Sequence, residues 1–221
     1  SMVVNSLIMR NYKTLLKEGK SYFDLTPSDF KLTDSQKSSI KQCIENTGQQ
    51  LAGVIYNIYD PQLCKYAMFL RITLKKTNYD REFIDAKIRN LIGEFFSDIQ
   101  SDIFIPKSDI IHLLKTNVSE IDGIDLQFIS ELNENAKETG RYTLTDYSYN
   151  PSKNTYDEKI EVIYLYNGEN PNIGLDDYGN IFLRNNHQFP VLMGGWDYAI
   201  TDENGDTQQV MVNNPVIIFY E

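Results

Sequence analysis

The segment 66–131 constrains the fold more than any other part of the chain. Its hydrophobic period switches from two to 3.6 and back, twice. Residues 66–75, Tyr-Ala-Met-Phe-Leu-Arg-Ile-Thr-Leu-Lys, place Met68, Leu70, Ile72 and Leu74 on one face of a strand, because strand side chains alternate. Ile84, Ile88, Leu91, Ile92, Phe95, Phe96 and Ile99 then form a broad helical stripe, with Asn78 as the expected cap and Asp80, Arg81, Asp85, Lys87 and Arg89 on the remaining surface. Ile103-Phe-Ile105 reads as a short strand. Ser108 is placed to cap a helix whose buried side is Ile110, Ile111, Leu113 and Leu114. After an expected turn at Asp122-Gly123, Ile124, Leu126 and Phe128 alternate with Asp125 and Gln127. The order strand, helix, short strand, helix, strand predicts a small α/β sandwich, one sheet with helices packed on it.

The flanks are of other kinds. Leu7, Ile8, Tyr12, Leu15 and Leu16 fit one short helix face, which Gly19 stops. A second helix is expected from Thr33 or Asp34 through Ile40, Cys43, Ile44, Thr47 and Leu51, with breaks at Gly53 and Asp60-Pro61. Residues 133–159 are polar with few aliphatics and read as a long exposed loop or irregular arm. From Ile160 onward strands are expected at 160–166, 181–184, 189–193, 196–200, 209–212 and 216–220. The Asn204-Gly205 turn should pair Trp196–Ile200 with Gln209–Val212. The fold class is therefore α+β, in four parts: N-terminal helices (1–65), the α/β sandwich (66–132), an extended loop or arm (133–159) and an antiparallel β-rich region (160–221).

Composition narrows the function. The chain has 221 residues and a net charge of −10, from 21 Lys plus Arg against 31 Asp plus Glu. A chain of this length buries roughly 70% of its unfolded surface and needs no disulfide or metal to hold a core. Hydrophobic residues at 41% exclude a disordered chain, and no apolar run is long enough to span a membrane as a helix. The acidic balance argues against electrostatic capture of nucleic acid and against anionic membranes. Two cysteines, Cys43 and Cys64, are too few for a secreted disulfide scaffold. Ser1 ahead of Met2 reads as a cleavage remnant. No signal sequence follows, so synthesis in the cytoplasm is expected.

Chemistry-bearing patterns are sparse. Asp202-Glu-Asn-Gly-Asp206 alternates oxygen side chains as calcium loops do, but the twelfth position is Asn213 and the flanks are strands, so a hairpin turn is expected. Asp176-Asp177 is a poor acid/base dyad, since adjacent residues in an extended chain point apart. Cys64 is a nucleophile only if His112 or His187 reaches it. His112 is expected on a helix surface and His187 in a loop. Two histidines alone do not build a zinc site. No Gly-rich phosphate loop, nucleophile elbow or Cys-x-x-Cys occurs. No catalytic, cofactor or metal residue is therefore assigned. Gly194-Gly195-Trp196 is either a sharp strand bend with the only Trp covering the core, or a docking surface, where Trp is a favoured anchor. Trp196, Tyr198, Gly194 and Gly195 are the candidate interface residues.

Tyr79-Asp-Arg-Glu-Phe-Ile-Asp-Ala-Lys-Ile-Arg-Asn-Leu-Ile, Ile105-Pro-Lys-Ser-Asp-Ile-Ile and Ile121-Asp-Gly-Ile-Asp-Leu-Gln-Phe-Ile resemble one end of the baseplate J-like and baseplate wedge proteins of tailed bacteriophages. Gly174-Leu-Asp-Asp-Tyr-Gly-Asn-Ile181 followed by Phe189-Pro-Val-Leu-Met-Gly-Gly-Trp196 resembles a segment of wedge-type virion proteins. The likeness covers about residues 66–132 and 172–221. It implies a non-catalytic virion subunit of a tail, baseplate or tail ring, made in the host bacterial cytoplasm. Its partners would be other tail proteins and copies of itself in a ring or wedge. In short-tailed phages, the crAss-like group included, the place implied is a ring of the tail barrel. The 15 Tyr and 11 Phe suit such contacts. The alternative is a carbohydrate- or cell-wall-binding phage module or glycan hydrolase, suggested by the aromatic C-terminal strands. A third reading is a bacterial surface or secretion-machine component.

Overall fold

The structure, a computed structural model, describes residues 2–47, 54–99, 104–130, 139–150, 155–166, 174–183, 188–192, 195–201 and 207–220. Within 139–150, 155–166, 195–201 and 207–212 it describes the backbone alone. The chain is α+β, with four α-helices and several sheets among the described residues.

The 66–75 pattern becomes part of a longer strand, β3 (Gln62–Leu74). β1 (Met2–Leu7) and β2 (Val54–Tyr59) precede it, with α1 (Lys13–Lys17) and α2 (Asp34–Asn46) between them. Met68, Leu70, Ile72 and Leu74 are all buried, as the alternation requires. They meet Ile84, Ile88, Ile92 and Phe96 of α3 (Arg81–Asp98) and Ile110 and Leu114 of α4 (Lys107–Asn117) in one core. The opposite face of the sheet buries Ala67, Phe69, Ile129 and Ile218. Full burial of Tyr66 through Leu70 is the mark of a strand covered on both sides.

β3 has partners on both edges. Along one runs β5 (Ile121–Ser130), antiparallel from Tyr66↔Ser130 to Ile72↔Ile124, with a register shift beyond Thr73. Asp122 and Gly123, expected as a turn, lie inside this strand, and the chain reverses at 118–120 instead. Two short strands share the other edge end to end. β9 (Gln188–Leu192) pairs parallel with Gln62–Tyr66, and β12 (Val216–Tyr220) pairs parallel with Phe69–Thr73. These C-terminal strands thus enter the central sheet in parallel, where an antiparallel region of their own was expected. Sequence pattern reports that a strand is buried, not which strand it joins.

Asn214 fills the gap between β9 and β12. Its Oδ1 accepts from the Met68 N–H at 2.9 Å and its Nδ2 donates to the Tyr66 carbonyl at 2.9 Å. In a parallel ladder one partner residue bonds the carbonyl before and the N–H after the residue it faces. The Asn214 carboxamide makes that same pair of bonds around Ala67, so a side chain stands in for one residue of strand.

Several local expectations are corrected. The short helix face read from Leu7 to Leu16 is divided: β1 ends at Leu7, and only Lys13–Lys17 is helical. Val3 and Val4 favour extended backbone, and Tyr12 leaves the helix to join the core against Phe30, ring centroids 4.8 Å apart. Asp80, not Asn78, caps α3, its Oδ1 accepting from the Phe83 N–H at 3.1 Å. Ser108 lies inside α4. The free N–H of Lys107 is instead satisfied by Asn180 Oδ1 at 2.9 Å, a cap supplied from 73 residues away. α2 starts as expected, with Thr33 and Gln36 in a reciprocal capping box, yet buries none of its residues.

The stretch 133–159, expected as a loop or arm, contains strand. β6 (Thr139–Asn150) and β7 (Thr155–Tyr166) form an antiparallel hairpin in register from Thr139↔Tyr166 to Asn150↔Thr155. Its Thr and Tyr residues carry strand propensity without aliphatic character, which a reading by hydrophobicity passes over. β10 (Gly195–Thr201) and β11 (Thr207–Asn213) make the expected hairpin, with Trp196 opposite Val212 and Ala199 opposite Gln209. Two minimal strands, β4 (Phe104–Ile105) and β8 (Ile181–Phe182), pair antiparallel at the start of α4.

Candidate functional site

The described residues expose apolar side chains at two places built by strand pairing. The first is the β1–β2 ribbon, a two-stranded parallel sheet with Val3 opposite Ile55 and Leu7 opposite Tyr59. Val3 is 50%, Ile55 53% and Tyr59 52% exposed. Between the two apolar pairs, Asn57 Nδ2 donates to Asn5 Oδ1 at 3.3 Å. The second is the β4–β8 pair, where the facing Phe104 and Phe182 are both exposed, with Tyr178 exposed on the preceding turn.

Two clefts lie beside these surfaces. One, of about 400 Å³, runs between α3 and α4 beneath Phe104, with Phe95 and Leu113 in its wall and Glu94, Asp98 and Asp109 around it. The other, of about 330 Å³, is bounded by Leu7, Arg10, Tyr12, Lys13 and Phe189. Lys13 and Asp98, 3.3 Å apart, link the two linings. Both side chains are largely exposed, so the pair adds little stability. Burial and the Asp98 charge push the Tyr12 phenol up to about 12, while its hydroxyl donates to the Ser97 carbonyl at 3.1 Å.

Asp176 of the 176–177 carboxylate pair is taken up by hydrogen bonds within its own turn. Asp176 Oδ1 accepts from the N–H groups of Tyr178 and Asn180 at 2.9 and 2.8 Å, and Oδ2 accepts from Asn180 Nδ2 at 2.8 Å. Desolvation acts to raise its pKa, but these bonds and the nearby Lys107 charge outweigh it and hold the carboxyl below the usual range. Asp177 is exposed. Asp176 therefore holds the turn whose Asn180 caps α4, with Gly179 at φ +77° inside it.

The remaining candidates separate. Cys64 is buried in β3 and Cys43 is exposed on α2. His112 is exposed on α4, as expected, and His187 lies outside the described residues. Among the described residues no group of three or more His, Cys, Asp or Glu side chains is arranged to hold a metal ion. Trp196, Tyr198 and Gly195 all lie in β10, opposite Val212, Val210 and Asn213. Gly194 and the Asp202–Asp206 turn lie outside the described residues. The β1–β2 and Phe104–Phe182 surfaces were not singled out from sequence. Each needs partners 52 or 78 positions apart, and no local pattern reports such a pairing.

Against known proteins, the chain matches no protein-family model and no curated protein. No helix among the described residues is long and apolar enough to cross a membrane.

Proposed function

We propose that this chain is a structural subunit of a bacteriophage tail or baseplate, a wedge or tail-ring component that works by assembly with neighbouring subunits and with copies of itself. The observation that carries the assembly part is the β1–β2 ribbon. Parallel strands are almost always covered on both faces, and an isolated pair of strands is marginal in water. Here Val3, Leu7, Ile55 and Tyr59 are left open on one face of two parallel strands. Such a surface suits a chain that is completed by contact. The phage assignment rests on the resemblance of residues 66–132 and 172–221 to baseplate and wedge proteins.

The exposed Phe104, Phe182 and Tyr178 favour a second reading, a carbohydrate- or cell-wall-binding module, because sugar faces stack on aromatic rings. Light scattering over a concentration series, followed by electron microscopy of the large species, separates the two. Closed rings or wedges support the subunit. A chain that stays monomeric and binds cell-wall glycan, losing that binding on Phe104→Ser, overturns it in favour of the module.

A further inference from the structure

We infer that the free edge of β1 is a self-association site, pairing antiparallel with β1 of a second copy about a two-fold axis. This deepens the assembly reading and rests on it, naming both the surface and its occupant.

Among the described residues the edge is open and unguarded. β1 pairs with β2 on one side and with no other strand among the described residues. Natural edge strands are protected by Lys, Pro or a bulge. Met2–Leu7 reads Met-Val-Val-Asn-Ser-Leu and Val54–Tyr59 reads Val-Ile-Tyr-Asn-Ile-Tyr, with no charge, no proline and an unbroken register. In a chain of net charge −10, most surfaces repel their own copies. This uncharged strip meets a copy of itself without that penalty.

The backbone parity selects the register. The Ile8 N–H donates to the Tyr59 carbonyl at 3.2 Å, so the even-numbered peptide groups at this end of β1 face β2. N–H and C=O of one residue in a strand point the same way, and the direction alternates. Val3, Asn5 and Leu7 therefore aim both groups outward. In an antiparallel pair, residues that exchange both bonds face one another. Placing Asn5 opposite its own copy sets Val3 opposite the second copy's Leu7, and Leu7 opposite its Val3. All three outward residues are then hydrogen-bonded.

The side chains agree with that register. Val3 and Leu7 share a face with Ile55 and Tyr59. Across the resulting four strands the rows read Ile-Val-Leu-Tyr, Asn-Asn-Asn-Asn and Tyr-Leu-Val-Ile. The Asn57-to-Asn5 bond already present becomes part of an amide ladder running through the dyad. Apolar meets apolar and amide meets amide, which is what an isologous contact requires.

A charge-swap experiment on the full chain tests the pairing. Sedimentation from micromolar to millimolar protein reads self-association of the parent, of Asn5→Lys, of Asn5→Asp and of their equimolar mixture. Each variant alone sets like charges face to face on the dyad and is expected to associate at least about tenfold more weakly than the parent. The mixture sets opposite charges there and is expected to recover association. Recovery excludes misfolding as the reason for the single-variant losses. Phe104→Ser, at the other apolar surface, is expected to associate like the parent. The inference is overturned by a parent that stays monomeric throughout, by Asn5→Lys associating like the parent, or by a mixture that does not recover. A monomeric parent overturns this copy-to-copy contact, and the subunit reading falls with it only if that monomer also binds cell-wall glycan in the experiment above. Association that persists in every variant overturns the β1 pairing and leaves the assembly reading standing.

Discussion

Replacing Asn214 with alanine tests whether a side chain substitutes for strand in the central sheet. The change removes the acceptor for Met68 N–H and the donor to the Tyr66 carbonyl, both in fully buried stretches of β3. An unsatisfied buried polar group costs about 1–3 kcal/mol, so two cost about 2–6 kcal/mol. That is a large share of the roughly 5–15 kcal/mol that holds a typical domain together. With a urea slope near 2–3 kcal/mol/M, the unfolding midpoint should fall by about 0.7–3 M. Far-UV circular dichroism during urea titration reads this directly. Asn214→Leu controls for water entering the vacated space: it keeps the branched shape with two bulkier methyls in place of Oδ1 and Nδ2, makes neither bond, and should cost at least as much. Asn214→Asp keeps an acceptor for Met68 but turns a carboxylate toward the Tyr66 carbonyl. It should be weakest near neutral pH and recover partly in acid, where the protonated form donates. Midpoints of all three variants within about 0.3 M of the parent would falsify the strand-substitute account, since that shift is under about 1 kcal/mol.

Four further outcomes follow from the geometry. Tyr66→Phe removes the 2.7 Å bond to the Gly174 carbonyl, which keeps the Phe182 N–H at 3.0 Å, and should lower stability by about 0.5–1.5 kcal/mol in the same titration; an unchanged midpoint refutes the bond. The Lys20 hydrogen bond, then those of Thr26, hold the Asp29 carboxyl below its usual range, against the opposing effect of burial. Its contribution is therefore complete above the unfolded carboxyl value of about 4 and lost as pH falls through the lower folded value. Asp29→Asn should accordingly flatten the acid limb of the stability curve, and an unchanged limb contradicts the assignment. Gly179→Ala forces a Cβ into a left-handed backbone at φ +77° and should cost about 1–2 kcal/mol by thermal unfolding. Thr33→Ala removes half of a capping box on a helix that buries nothing, so hydrogen exchange should quicken within Asp34–Asn46 while β3 amides keep their protection.

Elements held together by their own neighbours were legible in the sequence. The α3 stripe, the buried face of β3, the start of α2 at its capping box and the β10–β11 hairpin all follow from contacts a few residues apart. What escaped is what distant residues decide. Asn180 caps α4 from another part of the chain, whereas the local pattern pointed to Ser108. β9 and β12 are short apolar runs whose parallel placement on β3 depends on residues more than 120 positions away. Leu7 fitted a helical spacing with Tyr12 and Leu15 because that spacing was met by chance across a strand and a helix. The candidate surfaces follow the same division. Trp196 and Tyr198 were placed in a hairpin that the Asn204-Gly205 turn announces, and the strand proves to start one residue earlier, at Gly195. The open faces at Val3–Ile55 and Phe104–Phe182 exist only once distant strands have met.

β3 draws neighbours from β5, β9 and β12, the last of which occupies Val216–Tyr220. During synthesis, a chain that has emerged only as far as Ser130 holds β3 and β5 but shows one bare, apolar margin of β3 along its whole length. That margin is shielded in two instalments, the second of which waits for nearly ninety more residues to leave the ribosome. Until then the nascent protein carries an unpaired sheet edge at its centre, the kind of surface that makes incomplete chains prone to aggregate.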